Sequence, residues 1–440
     1  MEYDLEFNKI VDQIISNGYQ YVREKNVFVG KDLFDKIVYK VSVHSVKLAM
    51  KAVIGLGKIK KRSIIRTLPS VCVMSLSQDQ LFRGKTRESL VSFFFESRFK
   101  NPTGDILIET KSLRAFQLSS RTFQPSIPIY FFLRNLGQSQ RIAVLDLFNS
   151  AVKTLTKNSL HKKANLKTLY FLFELSVWFT IKSEKITLIT TQSTMRNLPV
   201  AFKIPTTSFT RKMFWYSTNS QPIKKKGIAL EKPIFSESLK QDIDMHYVWD
   251  LDSKEFLNSD GVGRVSAVGP ILFIRPQTVD LEEPGFNLAY FDVTPFEYPD
   301  SYYTVERMCT NLSKLVEVLS RINAESYPRI NLLVKPKREM TGSHSRQYVQ
   351  LLKNFKKEEK LHIVSPETNL YGFISSVNCV IGIPFTSPVV VGRELKIPSI
   401  YMDVHKDDFH LPSTQNGFSV ISDEMQLTTW LQKMLAKSFS

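Results

Sequence analysis

The chain is most constrained between Leu361 and Asp403, where LHIVSP, ETNLYGFISSVN, CVIGIPFTS, PVVVGRELK and IPSIYMD follow one another without filler. Each β-branched run stops at a small or polar loop, and a helical stretch leads into the next run. Such alternation builds a parallel sheet, because consecutive parallel strands must be joined by a crossover, usually a helix. Ligands bind these sheets outside the carboxyl ends of the strands, where loops run into helix N-termini. The loop in that place is Pro384-Phe385-Thr386-Ser387-Pro388. It brings two hydroxyls to a helix start, a set that suits a phosphate and equally suits plain N-capping.

The alternation extends upstream. NLAYFDVTP reads as a strand, SYYTVERMCTNLSKLVEVLSRI as a long amphipathic helix, RINLLVKPKRE as a strand with a basic loop, and SRQYVQLLKNFKKEE as a helix. Five strand-like runs separated by helices predict a doubly wound domain over 263–440. At 440 residues the chain is too long for one ordinary core, and residues 1–262 form the other expected domain. There, 1–55 show helical spacing through Ile10, Ile14 and Ile15, and DILIET, IPIYFFL and RIAVLDLF read as strands. Thr168 to Ile181 reads as a buried core helix, ITLITT as a strand, and Pro199 to Pro233 as loop-rich. The Gly- and Val-rich stretch SDGVGRVSAVGPILFI is the expected hinge. The fold class is therefore α/β, with two Rossmann-like domains facing across a cleft in a GT-B-like arrangement.

Cys72, Cys309 and Cys379 are too few and too far apart for a disulfide framework, which points to a reducing, cytoplasmic compartment. The start, MEYDLEFNKIVDQIISNG, is acidic and helical in spacing, unlike a signal peptide. The most apolar stretch, TLYFLFELSVWFTI, holds Glu174 and is shorter than the roughly 20 residues a membrane span needs. Charge is unevenly placed. Residues 1–250 carry 39 Lys and Arg against 20 Asp and Glu, whereas the remainder carries 20 against 22. Lys58-Ile59-Lys60-Lys61-Arg62, His161-Lys162-Lys163 and Lys224-Lys225-Lys226 are the densest clusters. Such a field concentrates anionic partners, whether acidic glycans, anionic lipid surfaces or nucleic acid, or it is only a solvated basic face. No nucleic-acid-binding motif accompanies it.

Several patterns carry no chemistry. The seven histidines show no metal-ligand spacing, so no metal site is expected. Trp249-Asp250-Leu251-Asp252 has a D-x-D spacing but reads as an acidic helix start. Gly55-Leu56-Gly57-Lys58 lacks both the third glycine of a dinucleotide fingerprint and the full P-loop spacing.

IGIPFTSPVVVGRELKIPSIYMD resembles the signature of the bacterial polysaccharide-biosynthesis PFTS-motif family, and more distantly the C-terminal halves of GT-B sialyl- and Kdo-transferases. The resemblance is strongest over about 265–410. It implies a glycosyltransferase that uses a nucleotide sugar, in the distant relatives a CMP-activated acidic sugar. In those relatives a basic-Pro motif and a later Ser/Thr pair hold the nucleotide. The matching residues here are Lys335-Pro336-Lys337-Arg338 and Thr386-Ser387. Where those transferases show His-Pro, this chain has Lys-Pro; a lysine neutralises a phosphate but cannot act as a neutral imidazole at pH 7.

A departing nucleotide leaves as an anionic phosphate, and a site without metal must stabilise it with cations, hydroxyls and helix-terminal amides. Lys335, Lys337, Arg338, Thr386 and Ser387 supply these, Pro388 suits the first helical turn, and Glu367 is placed to accept from a ribose diol. The basic run also fits a solvated turn. Asp292 either faces the donor or caps a turn. An inverting transfer needs a general base, for which the N-terminal half offers Glu96, Asp105 and Glu109. Phe214-Trp215-Tyr216 is either a sugar-stacking platform or core. The resemblance thus implies a metal-independent, cofactor-free transferase of capsule or O-antigen assembly, acting on an anionic or lipid-linked glycan at the inner membrane face. The alternatives are a GT-B-like nucleotide-sugar 2-epimerase and a non-catalytic polyanion- or nucleic-acid-binding protein.

Overall fold

The computed structural model describes residues 68, 70–74, 106–108, 116–118, 121–123, 136–157, 166–191, 198–215, 224–225, 243–259, 261–270, 279, 281, 285–293, 295, 303–325, 329–337, 345–405, 409–410 and 420–438. The chain divides into two compact units, one of residues 1–76, 102–190 and 197–212, the other of 77–101, 191–196 and 213–440.

In chain order the described strands begin with β1 (Val71–Val73), β2 (Ile106–Ile108), β3 (Phe116–Leu118) and β4 (Arg121–Phe123). Helices α1 (Gln138–Lys157) and α2 (Leu166–Thr180) follow, then β5 (Ile186–Thr191), β6 (Phe209–Phe214), β7 (Lys224–Lys225) and β8 (Met245–Val248). Next come α3 (Leu251–Ser259) and β9 (Arg264–Ala267). The first sheet has the order β2-β1-β5-β6-β8-β9, with β1 parallel to β2 and β5, and β8 parallel to β9. The expected boundary at 262 therefore falls just before this sheet's last described strand.

RIAVLDLF is helical, not a strand, and lies within α1. Its apolar run is short enough to suit either element, but burial follows the helical period. Val144, Leu147, Phe148, Ala151 and Val152 are buried, while Ile142 is exposed. α2 is the expected core helix: Leu172, Leu175, Val177, Trp178 and Phe179 are all buried. No described helix is long and apolar enough to cross a membrane. The stretch expected to be loop-rich contains the whole of β6, and Met213 and Phe214 are its buried end.

The second sheet runs through β10 (Phe286–Phe291), α4 (Val305–Glu325), β11 (Ile330–Lys335), α5 (Arg346–Lys357) and β12 (His362–Ile363). It continues with α6 (Leu370–Ser375), β13 (Cys379–Gly382), α7 (Ser387–Glu394), β14 (Ser399–Met402), β15 (Phe409–His410), β16 (Val420–Ile421) and α8 (Glu424–Ser438). Its order is β12-β11-β10-β13-β14-β16, and every pairing is parallel. Numbered within the sheet this is 3-2-1-4-5-6, the doubly wound order, whose direction reverses between β10 and β13. The central strand β10 is buried at every residue, as expected where helices cover both faces. α4 lays Met308, Leu312, Leu315, Val316, Leu319 and Ile322 into the same core as β10, β11 and β13, at the spacing of one helix face.

Gly392 lets α7 lie close on the sheet, since a Cβ there would come within 2.1 Å of Ser399 Oγ. A small ribbon pairs β15 with β7 antiparallel, His410 opposite Lys224 and Phe409 opposite Lys225.

Among the described residues of this unit, one charge pair is buried. Arg307 Nη1 in the first turn of α4 donates to both Asp403 oxygens, at 2.6 and 2.5 Å, beyond the end of β14. By contrast Glu424 accepts from Lys314 and Arg321 at the surface. Removing one partner of a buried pair strands the other charge, whereas exposed pairs contribute little. Asp403→Ala is expected to cost about 3–5 kcal/mol in urea unfolding, and Glu424→Ala less than about 1 kcal/mol.

Candidate functional site

At the reversal point of the second sheet, the chain leaves β10 through Asp292 and leaves β13 through Ile383-Pro384-Phe385-Thr386. The second of these is a tight, non-repetitive turn. Phe385 adopts φ 62°, a left-handed conformation uncommon for a residue with a large side chain. Its surroundings hold it there. The ring is buried and packs 5.8 Å from that of Tyr401. The Tyr401 hydroxyl donates to the Thr386 carbonyl at 3.4 Å, and the Tyr303 hydroxyl to the Pro384 carbonyl at 3.2 Å. Gly382 completes the turn, because a Cβ there would stand 2.7 Å from Val389 Cγ2 and 2.9 Å from Thr386 Oγ1.

The two signature hydroxyls differ in role. Thr386 is the N-cap residue of α7 by position, yet its side chain does not cap the helix. Its hydroxyl donates backwards to the Ile383 carbonyl at 2.6 Å and is buried. Ser387 is half-buried and opens α7, and Pro388 follows in the first turn. Thr386 therefore braces the turn, and Ser387 is the hydroxyl presented beside the first amides of α7.

The basic run divides in the same way. Lys335 ends β11 buried, with Nζ donating to the Pro366 carbonyl at 2.7 Å. That bond ties β11 to the loop after β12, which carries the exposed Glu367. Lys337 is exposed, and its backbone N–H donates to Asp292 Oδ1 at 2.7 Å. Asp292 is 5% exposed. Burial pushes its carboxyl up to about 7, against the Lys337 amide, Tyr348, Lys335 and Lys337, which all favour the carboxylate. Asp292 thus caps the neighbouring basic turn and not its own.

The carboxyl edge of this sheet thus gathers Asp292, Lys335, Pro336, Lys337, Glu367, Thr386 and Ser387. Arg338, Tyr216, Glu96, Asp105 and Glu109 lie outside the described residues. Phe214 and Trp215 are core: Phe214 stacks on Tyr247 at 4.5 Å, and Trp215 Nε1 donates to His246 Nδ1 at 3.2 Å. Asp250 caps α3, accepting the Ser253 amide at 2.7 Å, in keeping with an acidic helix start. Tyr303 and Tyr401, which hold the turn, were not singled out from the sequence. Tyr401 stands where an aromatic at a strand's end can reach the adjacent loop, but nothing local marks its hydroxyl as a carbonyl donor.

The family model described as "Polysaccharide biosynthesis PFTS motif protein" matches residues 147–431. No curated protein sequence matches the chain. Among solved structures, TarM has 10% identity and a TM-score of 0.35, covering 60% of this chain and 51% of its own. The trehalose-6-phosphate synthase OtsA has 10% identity and a TM-score of 0.42, covering 83% of this chain and 91% of its own. Sucrose-phosphate synthase from Thermosynechococcus elongatus has 12% identity and a TM-score of 0.34, covering 62% and 71%. The chain spans about half the length of TarM.

The division of labour within the turn predicts opposite outcomes for adjacent residues. Thr386→Val is expected to lower stability by about 1–2 kcal/mol, since it removes the donor to Ile383. Ser387→Ala is expected to change it by less than about 0.5 kcal/mol, with both read in urea unfolding.

Proposed function

The chain belongs to the polysaccharide biosynthesis PFTS motif family, and from that membership we propose that it is a GT-B-type glycosyltransferase whose nucleotide-sugar donor binds at the carboxyl edge of the second sheet. The observation that carries this reading is the position of the Pro384–Ser387 turn at the reversal point of a 3-2-1-4-5-6 sheet, the place where such sheets bind nucleotides. The turn opens directly into a helix N-terminus, whose amides favour an anion.

The departing nucleotide gains negative charge as the bond from the sugar C1 to the phosphate oxygen breaks. Lys337, the Ser387 hydroxyl and the first amides of α7 stabilise that charge. Arg338 adds a cation from beyond the described residues. Glu367, on the adjoining loop, accepts from the ribose hydroxyls. An acceptor hydroxyl attacks C1 from the opposite face, forming the new glycosidic bond with inversion. Its proton passes to a carboxylate of the N-terminal half, Glu96 or Asp105. The donor is a CMP-activated acidic sugar, and the acceptor an anionic or lipid-linked glycan of capsule or O-antigen assembly. The basic N-terminal half holds that acceptor, and the anionic inner membrane face, by charge. No metal or resident cofactor takes part.

Thermal unfolding with CMP, UDP, GDP and their sugar conjugates tests the reading. A ligand at about 100 times its Kd adds roughly 2.7 kcal/mol, a readable rise in Tm. The expected result is a rise with one nucleotide class, lost in Ser387→Ala and Lys337→Ala. A nucleotide sugar converted to a free epimer would instead identify an epimerase. No rise with any of these ligands would remove the transferase reading.

A further inference from the structure

Asp292 joins two loops at the reversal point, but only one of its oxygens is engaged by a backbone donor. Oδ1 accepts the Lys337 amide. Oδ2 closes no hydrogen bond of ordinary length among the described residues, and neither do the hydroxyls of Tyr290 on β10 and Tyr348 on α5. Both tyrosines are fully buried, and the Tyr348 hydroxyl approaches the carboxylate. The other charged groups around it are Lys335 at the end of β11 and Lys337 in its turn. Beyond Tyr290 stand Asp403, after β14, and Cys309 of α4. Asp403 is neutralised there by Arg307.

In this niche the neutral acid still serves as a strut, although the Lys337 amide and Tyr348 interact more strongly with the carboxylate. With its proton on Oδ2, the group keeps Oδ1 as acceptor for the Lys337 amide. Its single O–H is free to donate to one of the two buried tyrosine oxygens. The two forms differ by one negative charge beside the basic turn.

We propose that Asp292 is a positioning residue that takes up a proton from solvent as the anionic donor binds, so that the basic turn stays fixed while no buried carboxylate opposes the donor phosphate. The inference rests on the donor reading above. Burial already brings the carboxyl up to about 7, and an approaching anion raises it further. Proton and donor therefore bind cooperatively. By linkage, donor affinity is greatest below that value and falls as pH rises through it.

The test is calorimetric titration of the whole protein with CMP-N-acetylneuraminic acid, UDP-N-acetylglucosamine and GDP-mannose, whose phosphates do not titrate near neutrality. Measurements run from about pH 6 to about pH 8, in two buffers of different protonation enthalpy. For the sugar nucleotide that binds, wild-type affinity is expected to fall roughly tenfold across that range. The heat at pH 7 is expected to depend on the buffer, reporting proton uptake. D292N keeps the Oδ1 acceptor and mimics the neutral acid, so it is expected to bind with the wild type's low-pH affinity throughout, without buffer dependence. D292A loses the acceptor and is expected to bind roughly tenfold more weakly at every pH.

A pH-independent wild type with no buffer-dependent heat overturns the inference while leaving the donor reading intact. D292N weakened as much as D292A overturns it as well. If none of the three sugar nucleotides binds, the donor reading fails first and the inference falls with it.

Discussion

At the carboxyl edge of the second sheet several loop groups are buried against their neighbours, so those carbonyls and charges need partners inside the protein. The partners come from the adjacent loop or strand. Asp292, after β10, holds the amide of Lys337 after β11, and Lys335 holds the carbonyl of Pro366 after β12. Tyr303 and Tyr401 hold two carbonyls of the turn after β13. The result is a chain of cross-loop hydrogen bonds that fixes the edge in one arrangement. A site built this way needs little reorganisation when charge develops in it, the condition under which fixed dipoles are most effective.

The same economy decides which side chains remain for a ligand. Lys335 and Thr386 have the right chemistry for a phosphate but are occupied inside the scaffold. Lys337 and Ser387 follow them in the chain and face outward or stand at the helix start. In the first pair, strand alternation alone would put Lys335 and Lys337 on one face; the strand ends at Lys335, and the bend at Lys337 turns that lysine outward while Lys335 stays buried. In the second, the left-handed Phe385 redirects the backbone, so that Thr386 folds back on Ile383 while Ser387 begins the helix.

Much of the second sheet was legible because its strands are buried on both faces and read as near-continuous apolar runs. CVIG, SIYM and the helix between them fall where the alternation placed them. The two-residue strand β16 has too little pattern to be recognised. RIAVLDLF misled because a short apolar run does not declare its period, and only the burial of Ala151 and Val152 one turn later settles it as helix. The candidate residues were legible as chemistry but not as geometry. Nothing in Lys335-Pro336-Lys337 says which lysine is buried, and the bond from Asp292 to Lys337 joins loops far apart in sequence. Such partners are set by tertiary contact, which local pattern does not encode.

The ribbon of β7 and β15 has a consequence for synthesis of the chain. Lys224 and Lys225 leave the ribosome long before Phe409 and His410, so β7 waits without its partner while most of the second sheet is still being made. An unpaired strand in that interval is open to joining another molecule's edge. Lysines on an edge strand oppose such joining through charge and bulk. The basic pair is thus suited to protect a nascent edge, whatever else it attracts in the finished protein.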